Sequence, residues 1–121
     1  METLASVVFD QLTVVAAECR APGWDGYAAA PVTQETVSQA NRFLEALPPG
    51  TPPPSVGAEP DGHLTFEWHR APRRTPSVSV GPDGELHYAA LVESSKAYGT
   101  EPFITEVPAP ILQLIHRVES S

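Results

Sequence analysis

The chain holds one cysteine, one methionine and only seven lysines and arginines among its 121 residues. A single cysteine, Cys19, closes no internal disulfide and builds no structural zinc site. Seven basic residues against fifteen acidic ones leave a formal net charge of −8. That balance argues against autonomous nucleic-acid binding, which needs cations to displace phosphate counterions, and against docking on an anionic membrane. No apolar run approaches the ~20 residues of a membrane span. The N-terminus is apolar, but Glu2 and Asp10 stand where a secretory leader carries basic residues, and Glu18 interrupts any continuation. A cytoplasmic location is expected.

Proline is the residue in excess. Fourteen prolines are about 12% of the chain, against a usual ~5%. With the eight glycines they reach about 18%, below the ~25–30% that marks low complexity. The length suits one domain, residues 1–121, with heavily punctuated loops.

Apolar spacing then divides the chain. Leu4, Val7, Val8, Leu12, Val15, Ala16 and Cys19 recur at i, i+3, i+4, an amphipathic helix over 3–20 that Pro22-Gly23 ends. Thr33 is an N-cap for a second helix, with Val37, Ala40, Phe43, Leu44 and Leu47 on its stripe and Pro48-Pro49-Gly50 as its stop. After the stiff Thr51–Pro54 stretch the period drops to two. Leu64/Phe66/Trp68, Val78/Val80 and Leu86/Tyr88/Ala90 alternate with polar residues as three strands, and a weaker one precedes them near 55–59. Pro60-Asp61-Gly62 and Pro82-Asp83-Gly84 repeat one hairpin chemistry, so the strands are antiparallel neighbours. Residues 94–103 read as a loop, and Ile111, Leu112, Leu114, Ile115 and Val118 as a C-terminal helix that tolerates Pro108 and Pro110 in its first turn. The expected fold is α+β in two layers: two N-terminal helices, a three- to four-stranded antiparallel meander, and a C-terminal helix.

Catalytic constellations are missing. There is no G-x-S-x-G, P-loop or G-x-G-x-x-G. Cys19 lies on an apolar stripe, where a thiol acts as a small hydrophobe. His63 and His69 bracket one strand ~20 Å apart and cannot share an ion. His87 with His69 or Glu67 could, given a suitable register, but a solvated sheet face is the plainer reading. No metal, cofactor or catalytic residue is expected, and the chain is not read as an enzyme.

Two segments are richer than spacers. Gly23-Trp24-Asp25-Gly26-Tyr27 places two large aromatics in a glycine-flanked loop, either as anchors on the core or as a recognition tip. The stretch from Ser94 to Phe103 is long for a connection, and long ordered loops are often functional. The partner-contacting candidates are therefore Trp24, Asp25, Tyr27, Lys96, Tyr98, Glu101 and Phe103. Arg70, Arg73 and Arg74 concentrate three of the seven basic residues, as an anion contact or as compensation for the protein's own acidic helices.

With Trp24-Asp25-Gly26-Tyr27, Ala30-Pro31, Phe43-Leu44-Glu45-Ala46-Leu47-Pro48, the Pro-Asp-Gly turn before Phe66-Glu67-Trp68, and Ser94-Ser95-Lys96 followed by Gly99-Thr100-Glu101-Pro102-Phe103, the chain resembles a family of small uncharacterised prokaryotic proteins found in accessory or mobile genomic regions. The resemblance spans about residues 20–118 and brings no activity with it. Such settings imply antitoxin-like or defence-related roles by association.

The expected function is a non-enzymatic, acidic protein-binding module that occludes a partner with a basic surface, antitoxin-like in action. The alternatives are an anti-defence, anti-CRISPR-like inhibitor masking a nucleic-acid-binding surface, and a small metal-dependent enzyme built around Glu67, His69 and His87.

Overall fold

The computed structural model describes residues 4–48, 50–68, 74–92, 95–103 and 106–119. The elements follow in the order α1 (Leu4–Glu18), α2 (Gln34–Ala46), β1 (Ser55–Ala58), β2 (Leu64–Glu67), β3 (Arg74–Val80), β4 (Glu85–Val92), β5 (Ser95–Pro102) and α3 (Ala109–Glu119). The five strands form one antiparallel meander, β1-β2-β3-β4-β5, each paired with its chain neighbours. The fold is α+β with three helices against one face of that sheet.

The local chemistry explains the boundaries. Thr33 caps α2, its hydroxyl accepting the Thr36 amide at 3.3 Å, and Glu35 complements the positive end of the helix dipole. Each Pro-Asp-Gly hairpin relies on its glycine, Gly62 at φ +88° and Gly84 at φ +78°. In the first, the Gly62 amide donates to Glu59 C=O and the Glu59 amide to His63 C=O. This is a three-residue loop, a turn followed by a left-handed glycine, and not the two-residue kind. Asp61 and Asp83 each accept the amide two residues on, at 3.0 Å.

Residues 95–102, expected as loop, form an edge strand and raise the sheet from three or four strands to five. The inward positions of β5 are Ala97, Gly99 and Glu101, paired with Ala90, Tyr88 and Leu86. None of the three is a large hydrophobe, so the period-two signal is faint. Tyr88 supplies the missing bulk: a Cβ on Gly99 would lie 2.6 Å from its hydroxyl, so the ring fills the space above that glycine.

The core centres on Phe43 of α2, fully buried. Its ring stacks on Phe66 at 5.2 Å and meets Trp68 and Phe103 edge-on at 6.4 and 6.2 Å. Val8 and Leu12 of α1, Leu64, Val78, Val80 and Leu86 of the sheet, and Ile111 and Ile115 of α3 complete it. The buried Trp68 indole N–H donates to Pro52 C=O at 2.7 Å, which ties the proline-rich segment to the sheet. Replacing a buried phenylalanine removes apolar contact and leaves a void, worth about 3–5 kcal/mol. Phe43→Ala is expected to cost at least that much in urea unfolding, with loss of near-UV circular dichroism as the companion signal.

Candidate functional site

The Trp24–Tyr27 loop divides between the two roles expected for it. Trp24 is half-buried against the core and its indole N–H donates to Ala30 C=O at 2.7 Å. Asp25 Oδ1 accepts the amides of Tyr27 and Ala29 at 2.8 and 3.3 Å. The Ala30 amide reaches Pro60 C=O at 2.7 Å, which stitches the loop to the β1–β2 turn. Gly62 is required at that junction, since a Cβ there would sit 2.7 Å from Pro31 C=O. Trp24 and Asp25 therefore build the loop, and Tyr27, 87% exposed, is what it presents.

The second candidate segment divides in the same way. Phe103 is buried under the Arg42 guanidinium, whose carbon lies 4.9 Å from the ring centroid, and it belongs to the core. Glu101 faces inward at the rim of the sheet, half-buried. Lys96 and Tyr98 are exposed, Tyr98 to 82%. Ser94, His69, Arg70 and Arg73 lie outside the described residues, as does the Arg74 side chain.

Tyr98 lies on the polar face of the sheet, where reading 94–103 as a loop did not place it. All three helices pack on the face bearing Leu64, Phe66, Val78 and Leu86, and no described helix covers the other. Strand register orders that open face in rows: Ser55, Glu67, Ser77, Ala89, Tyr98, and beside it Gly57, Thr65, Ser79, His87, Thr100. A shallow depression of about 260 Å³ opens around Thr75, Ser77, Ala89, Lys96 and Tyr98. A wider groove of about 450 Å³ runs between α1 and the start of α2, from Thr13 and Ala17 past Arg20 to Val37. Val7 and Val14 of α1 are also exposed, so that helix is apolar on its outer side as well.

His87 does not group with Glu67: among the described residues the carboxylates beside it are those of Asp83 and Glu85. His87 Nδ1 instead lies 2.9 Å from Thr100 Oγ1, and its ring is 5.8 Å from that of His63. Among the described residues two groups bring a histidine and two carboxylates within 4.8 Å: Glu59, Asp61, His63 and Asp83, Glu85, His87.

Cys19 is buried at the end of α1 and packs in the core. Burial, with the Glu18 charge adding to it, pushes its thiol above the ordinary value. A nucleophilic thiol requires the opposite environment.

Compared with protein-family models, curated proteins and solved structures, the chain matches none.

The geometry separates the structural aromatic from the displayed ones. Trp24→Phe loses one hydrogen bond and is expected to cost about 1 kcal/mol, whereas Tyr27→Ala should stay within about 0.5 kcal/mol in the same unfolding measurement. The raised folded pKa of Cys19 keeps its stabilisation complete below the unfolded thiol value and loses it as pH climbs toward the folded one. Stability should therefore fall as pH rises above about 8.5, and the difference between the wild type and Cys19→Ala across that range isolates the thiol.

Proposed function

We propose that the chain is a non-enzymatic, acidic protein-binding module that acts in the cytoplasm by occluding a partner protein, as an antitoxin does. The observation that supports this reading best is Tyr98, 82% exposed on a sheet face that no described helix covers. Around it Ser77, Ala89 and Thr75 form a floor of small side chains, and Lys96 stands at the rim. A rigid tyrosine over a shallow, small-residue floor suits a partner side chain that inserts beside it, since tyrosine offers large contact area at low entropy cost. Tyr27 stands by the β1–β2 turn, at the far side of the sheet from β5, and would be a second, separate contact.

The net charge of −8 selects the partner's chemistry. An acidic surface accelerates encounter with a basic one and makes the encounter sensitive to salt. Direct nucleic-acid binding is not part of the reading, and no helix among the described residues is long and apolar enough to cross a membrane. The anti-defence alternative draws on the carboxylates of Glu59, Asp61, Asp83 and Glu85, gathered at the turn end of the same face, where they would take the place of nucleic-acid phosphates.

The test is capture of partners from a lysate of the native host at low and moderate salt, read by mass spectrometry. One stoichiometric partner is expected, weakened by salt and lost with Tyr98→Ala, while Phe103 and Trp24 stay intact to preserve the fold. Retention by Tyr98→Ala at wild-type level, or the absence of any partner at low salt, would overturn the reading. Competition by DNA for the captured partner would favour the anti-defence form over the antitoxin form.

A further inference from the structure

The turn end of the open sheet face carries an arrangement that protein binding does not explain. His63 precedes β2 and His87 lies in β4, with β3 between them. Side chains on strands separated by a third strand ordinarily stay apart, because the intervening residue fills the space. Here the residue against the His63 ring, directly after β3, is Gly81. A Cβ at that position would lie 2.6 Å from His63 Nε2, 2.7 Å from Cε1 and 3.0 Å from Cδ2. The imidazole therefore lies against the bare backbone of Gly81, the residue after β3, with Nε2 nearest to it. Gly81 is not among the glycines with positive φ, so the turn does not require it. Space for this ring is what it provides.

Across that gap the two imidazoles come to 5.8 Å between centroids, at 22° between planes. Two imidazoles on one tetrahedral ion, each with a metal–nitrogen bond of ~2.0–2.1 Å, hold their centroids roughly 5 Å apart. The spacing is within about an ångström of that value, and because the rings are stacked, one of them must turn to bring a nitrogen of each to a common ion. Both Nδ1 atoms face polar groups: His87 Nδ1 is 2.9 Å from Thr100 Oγ1, and His63 Nδ1 is 3.7 Å from Asp61 Oδ2. A partner on one ring nitrogen orients the ring and leaves the other free to bind, as outer-shell groups do for metal-ligating histidines.

Carboxylates stand beside each ring: among the described residues Glu59 and Asp61 group with His63, and Asp83 and Glu85 with His87, the donor atoms of each group within 4.8 Å of one another. Oxygen donors alone would favour Mg²⁺ or Ca²⁺, but the imidazole pair shifts the preference to the zinc–nickel–copper class.

We propose that His63 and His87 together hold one divalent transition-metal ion, with Asp61 orienting the His63 ring and Glu59, Asp83 and Glu85 supplying the carboxylates that complete the coordination. The ion bridges the β1–β2 and β3–β4 hairpins and lowers the concentration of negative charge at that end of the sheet. The inference rests on geometry independent of Tyr98 and of any partner.

The experiment is calorimetric titration of tag-free full-length protein with Zn²⁺, alongside visible spectra with Co²⁺. One ion per chain is expected, together with the strong d–d absorption of a low-symmetry, four-coordinate cobalt site. His63→Ala and His87→Ala should each weaken Zn²⁺ binding by about tenfold or more, and His116→Ala, exposed on α3, should not change it. Gly81→Ala leaves every ligand in place but occupies the imidazole's space, and it should weaken binding with an unchanged far-UV spectrum. A Zn²⁺-dependent rise in melting temperature that both histidine variants lack gives a second readout. Three results would each overturn the proposal: no stoichiometric binding, wild-type affinity in the histidine variants, or displacement of Zn²⁺ by millimolar Ca²⁺. Two ions per chain, each lost with only one histidine, would overturn the shared site.

Discussion

The Phe43 ring is the contact on which the rest of the molecule depends. It is fully buried, stacks on Phe66, and meets Trp68 and Phe103 edge-on. Those three partners come from β2, from the residue following it, and from the residue after the edge strand β5. One side chain on α2 therefore ties β2 and the chain leaving the edge strand β5 to the helical layer. Trp68 carries the linkage outward by hydrogen bonding to Pro52, and Phe103 carries it to Arg42 on the helix surface. All of this lies on one side of the sheet, and no described helix covers the other.

Much of this architecture is legible in the residues. The alternation of Leu64, Phe66 and Trp68, the Thr33 cap and the paired Pro-Asp-Gly turns each carry a local physical signal, and all correspond to elements of the structure. Strand β5 is not legible in this way. Its inward side is Ala97, Gly99 and Glu101, and the bulk that makes it a strand belongs to Tyr88 on its neighbour. Period-two hydrophobicity reports a strand's own side chains, so a strand packed by another's residues escapes it.

The candidate surfaces show the same limit. Trp24 and Tyr27 are indistinguishable as aromatics in a glycine-rich loop, and only the bond from the Trp24 indole to Ala30 and the exposure of Tyr27 separate anchor from display. Phe103 and Tyr98 divide likewise, one under Arg42 and the other on the open face. The histidine pair depends on register: His63 and His87 are 24 positions apart in the sequence, and their meeting hangs on Gly81, which in sequence reads only as the residue before a turn. Such juxtapositions depend on strand pairing, which hydrophobic spacing does not encode.

The strictly sequential strand order has a kinetic consequence. Every hydrogen-bonded strand pair joins segments adjacent in the chain, so the loops that must close to form the sheet are short. Each hairpin can template the next, from either Pro-Asp-Gly turn outward. The distant closures are left to the helices, with α1 reaching β1 and the loop before α2 reaching Pro60. Sheet contacts this local in sequence favour fast folding, and the long-range closures by the helices carry the larger share of the loop entropy.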